Sequence, residues 1–441
     1  AMEWHQKLQV RFRTAGKEIF FSFLFTLFFI DSILILSAHI CNLVFSFFFS
    51  FITSCHARTV LLMAEFFSIM PVKGVTMPHP KDLSFSWSNL RTWYSLVFVI
   101  TTLIDLLLAL YKILHHKMSF NNIEPMIFRC SIIVVCASAL SLAKKWPQLM
   151  MQWYETESDL PAYHSQMEKR RLGYKVKMVT FVAMLLSLGE HICSMLSVVA
   201  FSKICPITGD TLKDYFLLSN DQLFYVFPYS LWLSILGKIE NVLSTFAWNY
   251  MDVFVMIISI GLSSKFKQLN DNLMKFKGMQ MPESFWSERR IQYRNLCILC
   301  ENMDNAISMI TMVSYSNNLY FICVQLLKTL NKQPTVSHAV YFYYSLLFLF
   351  GRTMAVSLYT ADVNDESKKP LRVLRCVPKD SWCTEVKRFS DEISSDLVAL
   401  SGMKFFHLTR KLILSVAGTI ITYELVLIQF HVDSDVSDCN K

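Results

Sequence analysis

The sequence predicts an all-α membrane protein that crosses the bilayer seven times, and three observations predict it. Of its 441 residues, 53% are hydrophobic and only 17% are charged, against roughly 25% charged residues in soluble chains. Gly and Pro are few, 11 and 12, so the long apolar runs can persist as helices. Lys and Arg are dense in every second connection, the pattern that orients a multi-span chain. A net charge of +8 would point a soluble protein toward nucleic acid. Here the cations belong to alternate loops, and membrane lipids rather than nucleic acid are the expected surroundings.

Residues 1–59 contain a Phe-rich apolar run, 19–53, with 11 of the 36 Phe. A single crossing there would invert the charge pattern of everything after it. The run therefore crosses twice, does not cross, or is removed as a signal peptide. Its Ser-spotted text without periodicity reads as translated pyrimidine-rich non-coding sequence, and an intact transcript encoding it would refute that reading. Residues 60–76 are apolar but too short to span, are broken by Pro71 and precede Pro78 and Pro80. They are expected to form an interfacial or packed helix.

The spans are predicted at 92–112, 126–149, 178–201, 239–263, 305–328, 337–361 and 407–430. Lys plus Arg in the successive connections number four (54–91), one (113–125), five (150–177), three (202–238), seven (264–304), one (329–336) and eight (362–406), with one in the tail. By the positive-inside rule the N-terminus is cytoplasmic and the C-terminus extracellular, inverted relative to G-protein-coupled receptors. The chain then divides into 1–59, the first four spans within 60–263, a cytoplasmic helical extension at 264–304 and the fifth and sixth spans within 305–361. A cytoplasmic helical linker at 362–406, the last helix at 407–430 and an extracellular tail at 431–441 complete it. Helical spacing of Phe266, Leu269 and Leu273, and of Phe389, Ile393 and Leu397, predicts charged helices over 264–304 and 385–411.

Ionisable groups inside spans are costly, about 2.5–3.5 kcal/mol each at the bilayer centre, so they face the protein interior. Those that fall at similar depth near mid-membrane are Asp105, Glu190, His191, Asp252 and Arg352, joined by Trp248, Asn249, Asn317, Asn318, Tyr341, Tyr343 and Tyr344. Carboxylates and amides that exchange hydrogen bonds with hydroxyls, with aromatic faces beside them, suit a sugar. The plainer reading stands beside it: Arg352 neutralises Glu190 or Asp252, and Asn317 and Asn318 join helices. The last helix carries Ser415, Thr419, Thr422 and Gln429 on one repeating face, as a helix lining water or packing on its own copies would.

The other signals are weak. The twelve Cys form no framework, although Cys205 and Cys439 lie outside the spans on one side and admit a single disulfide. The lone Cys297-x-x-Cys300 lacks a second pair, so no metal is expected, and His115-His116 reads as a solvated loop pair. No nucleotide-binding, zinc-protease or serine-hydrolase motif occurs, so an enzyme is not expected. No repeat of the transporter kind is visible.

The stretch Thr422-Tyr423-Glu424-Leu425-Val426-Leu427-Ile428-Gln429-Phe430 resembles the Thr-Tyr-five-apolar-Gln-Phe signature that ends insect gustatory receptors. Glu directly after Tyr is the form seen in the sugar-sensing branch. The segment EFFSIMPVKGV, Glu65 to Val75, resembles the Phe-Phe-x-x-Met-Pro-Val segment of the same branch. Glu190-His191 and the run Trp248 to Asp252 resemble its polar spots in the third and fourth helices. The resemblance covers about 60–430 and not 1–55.

It implies a ligand-gated, non-selective cation channel in the plasma membrane of a sensory neuron, without a cofactor. It implies a homotetramer, or a heterotetramer with related receptors. The ligand is a mono- or disaccharide held in an outward-facing pocket among the second to sixth helices, and the permeant ions are cations. The expected ligand residues are Glu190, His191, Trp248, Asn249, Asp252, Asn317, Asn318, Tyr344 and Arg352. The expected pore and gate residues are Thr422, Val426, Gln429 and Phe430. A metabotropic chemoreceptor or a polytopic sugar transporter are the alternatives.

Overall fold

The structure, a computed structural model, describes residues 70–430 apart from 76, 78, 116–119, 164–165 and 330–332. The chain divides into two units, 1–55 and 56–441, and every described residue belongs to the second. The Phe-rich run 19–53, residues 60–69 and the acidic tail lie outside the described residues.

The order is α1 (Leu90–His115), α2 (Phe120–Asp159), α3 (Gln166–Ile204), then the short α4 (Thr211–Ser219) and α5 (Asp221–Val226). There follow α6 (Leu231–Met274), α7 (Glu283–Thr329), α8 (Val336–Ser367), α9 (Leu371–Leu374) and α10 (Thr384–Ser395). A two-residue hairpin, β1 (Ser401–Gly402) with β2 (Phe406–His407), leads into α11 (Arg410–Phe430). Among the described residues six helices, α1, α2, α3, α6, α7 and α8, are long and apolar enough to cross a membrane, and α11 adds 21 residues. At 1.5 Å per residue, α6 with 44 residues and α7 with 47 are far longer than a ~30 Å hydrocarbon core requires.

The helix that organises the bundle is α6. Its apolar window is 89% buried, against 22% for α1 and 17% for α3. Every residue from Phe246 to Ile260 is buried: apart from Asn249, Asp252 and Ser259 the stretch is apolar, and its neighbours cover every side of it. α2, α3, α7 and α8 pack around it. On α1 the exposed residues Trp93, Val97, Ile100, Ile104, Leu107, Tyr111 and Leu114 recur every three or four positions. That stripe of large apolar side chains suits lipid.

Beyond the spans, the end of α6 and the start of α7 continue as a helix pair. Phe266 meets Tyr293 with ring centroids 5.9 Å apart, and Phe389 of α10 meets Tyr293 at 5.4 Å. Arg290 ties α10 down through Glu385 at 2.8 Å and Glu392 at 3.0 Å. The hydrogen bond from Arg290 holds the Glu385 carboxyl below its ordinary value of 4.5. A folded-state value depressed in this way contributes stability above pH 4.5 and loses it as pH falls through the folded value. The protection of α10 amides, exchange taken relative to the intrinsic rate at each pH, is therefore expected to fall below pH 4.5 in the native chain and to fall less in Glu385→Gln.

Three sequence expectations change. Helix over 385–411 stops at Ser395, because Asp396 turns to extended backbone and Ser401–His407 forms the hairpin. Leu397 consequently sits 50% exposed and does not continue the buried face of Phe389 and Ile393. The last helix begins at Arg410, with His407 in β2. The fourth span begins at Leu231 rather than 239, which moves Lys238 from a connection into a helix.

A fourth expectation changes with them: residues 70–75, the described end of the helix expected over 60–76, are not helical. Met70 and Val72 are buried in the bundle, Lys73 bridges Ser84, and Arg91 donates to the Val72 carbonyl at 3.2 Å. Gly74 reverses the chain at φ +81°, and a Cβ there would lie 2.1 Å from the Asp82 carbonyl oxygen. Gly74→Ala is expected to cost about 1–3 kcal/mol and to lower surface density, read as a reduced melting temperature in detergent.

Candidate ligand site

The expected ligand residues separate into groups. The first is a knot between α6, α7 and α8. Asp252 is 0% exposed, and its Oδ2 lies 2.7 Å from Arg352 Nε. Ser314 Oγ donates to Asp252 Oδ1, and Asn318 Nδ2 donates to Oδ2 at 3.1 Å. Arg352 Nη2 donates to Asn318 Oδ1 at 3.1 Å, and Nη1 donates to Asn249 Oδ1. Asn249 in turn donates to the Thr245 carbonyl at 2.9 Å. The Arg352 guanidinium lies over the rings of Trp248 and Phe348 at 5.9 and 5.3 Å. Trp248 stacks on Phe128 at 5.0 Å and meets Phe321 edge-on at 4.8 Å. The planar fork of Arg352 thus meets one carboxylate and two amides, and Asp252 is the partner it neutralises.

Asn317 faces the other way. Its Oδ1 accepts from Ser131 Oγ of α2 at 2.8 Å, and its Nδ2 is buried without a partner among the described residues. Tyr344 lies against α3, its hydroxyl donating to the Leu186 carbonyl at 2.9 Å. A Cβ on Gly189 would come within 2.5 Å of that hydroxyl, so glycine at 189 is what lets Tyr344 approach.

Glu190 belongs to a second group. Its Oε1 accepts from Ser345 Oγ at 2.6 Å, and Ser345 Oγ accepts from Gln325 Nε2 at 3.0 Å. Among the described residues the Gln325 Oε1 is buried without a partner, as are Ser187 Oγ and His191 Nε2. α3, α7 and α8 therefore hold open hydrogen-bonding capacity around Glu190, while the knot at Asp252 has used most of its own. Sequence reasoning missed Ser187, Gln325, Ser345 and Lys238. The first three are short or neutral and carry no signal in an apolar span. Lys238 did carry one, since an apolar run, Leu231 to Leu236, precedes it.

Asp105 is occupied as well, accepting from Arg129 of α2 and from Gln222 of α5 at 2.9 Å. On α11, Thr422 Oγ1 donates to the Gly418 carbonyl at 2.9 Å, and Thr422 and Val426 are exposed. Gln429 and Phe430 fall within α11, with their side chains outside the described residues. Cys205 is disulfide-bonded, and Cys439 lies outside the described residues. Among the described residues no group of His, Cys, Asp and Glu is placed to hold a metal ion.

A central buried helix, five further candidate spans and a last helix fed by a hairpin define a multi-span helical membrane protein with the insect olfactory receptor fold. Olfactory receptor OR5 of Machilis hrabei in complex with eugenol superposes at a TM-score of 0.65, with 14% identity, over 84% of this chain and 97% of that one. A second OR5 structure gives 0.66. The chain belongs to the trehalose receptor family, whose model matches residues 50–439. It is 62% identical over 382 residues to the Drosophila melanogaster gustatory receptor for sugar taste 64f, covering 87% of this chain and 81% of the relative. Identity to the Drosophila gustatory receptor 5a for trehalose is 45% over 381 residues, 86% of each chain. These relatives are gustatory receptors and not enzymes.

Proposed function

We propose that this chain is a sugar-gated, non-selective cation channel of the sensory-neuron plasma membrane, working as a tetramer of itself or with related receptors. The observation that carries the reading is 62% identity, over 87% of the chain, to a receptor for sugar taste. A mono- or disaccharide enters from the extracellular side, with the N-terminus inside the cell, and is held by Glu190, His191 and the unsatisfied groups around them. A polyol both donates and accepts, which suits a cluster where carboxylate, amide and hydroxyl groups have capacity to spare. In the sugar-bound state Asn249, Asp252, Asn317, Asn318 and Arg352, with Trp248 and Tyr344, shift between ligand contact and the helix contacts described above.

Four α11 helices line the pore, with Thr422, Val426, Gln429 and Phe430 at its constriction. In support, α11 packs on α7 and α8 while Leu414 and Ile421 are 75% and 62% exposed, leaving faces for further copies. Arg410 at its base is paired to Asp362 and Asp365 of α8, so movement of α8 reaches α11. Sugar opens the channel only to the extent that it binds the open state better than the closed one.

The test is whole-cell current under a panel of sugars, with GTP replaced by a non-hydrolysable GDP analogue. A fast cation current is expected. Its loss under the analogue would favour a metabotropic receptor, and sugar uptake without current a transporter. Glu190→Gln is expected to raise the half-maximal sugar concentration about tenfold with the maximal current retained. An unchanged dose–response would remove Glu190 from the site.

A further inference from the structure

We infer that Lys238 is a ligand-contacting residue, donating to an acceptor oxygen of the bound sugar, with His191 as its neighbouring contact. The inference rests on the proposed sugar-receptor function and adds a residue to that site. Lys238 lies near the start of α6 and is 6% exposed. Among the described residues no carboxylate, carbonyl or hydroxyl takes its ammonium. What it meets is the ring face of Tyr215 in α4, 5.7 Å from the ring centroid. Within electrostatic reach on α3 is His191, 5% exposed and, among the described residues, with Nε2 buried and unpartnered.

An ammonium carries three donors and no acceptor. A buried charge of this kind is costly unless hydrogen-bonded, and an aromatic face supplies only part of what water gave it. The other buried cations have partners: Arg352 has Asp252, and Lys265, 4% exposed, has Glu157 at 2.8 Å and Tyr163 at 2.9 Å. Lys238 is the exception among them, and an intramembrane charge without a partner marks a ligand path. Its counterpart must accept, which fits a sugar's ring, glycosidic or hydroxyl oxygens and disfavours a cationic ligand. His191 on α3 and Lys238 on α6 can thus be met by one polyol that both donates and accepts.

The experiment records sugar-evoked whole-cell currents from wild type, Lys238→Met, Lys238→Arg and Lys238→Cys at matched surface density. Lys238→Met is expected to raise the half-maximal sugar concentration about tenfold to a hundredfold with the maximal current kept. Lys238→Arg recovers most of that loss. Lys238→Cys shifts like Lys238→Met and returns toward wild type when 2-aminoethyl methanethiosulfonate restores an ammonium. Saturating sugar slows this reaction, and the reagent leaves the wild type unmoved. If Lys238→Met does not reach the surface, the Cys variant with its reagent gives the same answer.

A wild type silent to every sugar, both alone and co-expressed with a related receptor, overturns the receptor function itself. A responsive wild type with Lys238→Met at unchanged potency overturns only the assignment of Lys238. So does a potency that follows bath chloride in wild type and not in Lys238→Met, because the occupant of the ammonium is then an inorganic anion.

Discussion

Arg352→Met is expected to cost the fold about 3–5 kcal/mol. The substitution leaves Asp252 with no counter-charge at 0% exposure, held only by Ser314 and Asn318. It also strips a donor from Asn249 and another from Asn318. The cost lies in what is left behind more than in what the pair contributed, because taking both charges out of water already consumed most of their attraction. The double variant Asp252→Asn, Arg352→Met is therefore expected to regain more than half of the lost stability, since no charge remains buried. The measurement is the apparent melting temperature in detergent, with surface density as a second readout. Arg352→Met melting with the wild type would mean that water reaches the knot. A double variant no better than the single would place the cost in lost packing.

The knot also marks how far the sequence could be read. Residue types were legible: a carboxylate, an arginine and amides in separate apolar runs had to face inward. Their pairing was not, because the rotation of α6, α7 and α8 about their axes decides whether Arg352 meets Glu190 or Asp252. The central place of α6 was hidden for a related reason. A helix that is apolar on every side looks the same whether lipid or protein surrounds it. The spans themselves were legible from composition, and their ends were not. Lys238 reads as the boundary of a span to any count that treats cations as loop residues, yet α6 simply continues past it. The stretch 396–409 failed differently. Its apolar residues fall at helical spacing, so periodicity extends α10 as far as Leu397. What ends the helix is a tertiary contact, the capture of Ser401 by Asp304 almost a hundred residues earlier, and no local pattern announces it.

That capture gives the second large effect. Asp304→Ala is expected to leave sugar binding intact and to reduce the sugar-evoked current about tenfold or more. Asp304 of α7 is 1% exposed, and all of its partners lie in the hairpin that carries α11. Oδ1 accepts from the Ser401 amide at 2.5 Å, and Oδ2 accepts from Ser401 Oγ at 2.8 Å and Lys404 Nζ at 2.7 Å. The turn it secures holds Met403 and Lys404 in the left-handed region, at φ 51° and 63°, a conformation costing roughly 1–2 kcal/mol per residue. Without the carboxylate a buried amide and hydroxyl lose their acceptor, at about 1–3 kcal/mol each, and the turn loses the contact that offsets its strain. Asn364 to the Val398 carbonyl at 3.0 Å, and Arg410 to Asp362 and Asp365, still tether the chain to α8. α11 then keeps its attachments to α8 and loses its register against α7, so a shift that begins at the sugar site dissipates in the hairpin. Binding is read as the rise in melting temperature with sugar, and gating as current at matched surface density. A variant with both intact would show that α11 is driven from its other end. A variant without the melting shift would place Asp304 in the fold of the site itself.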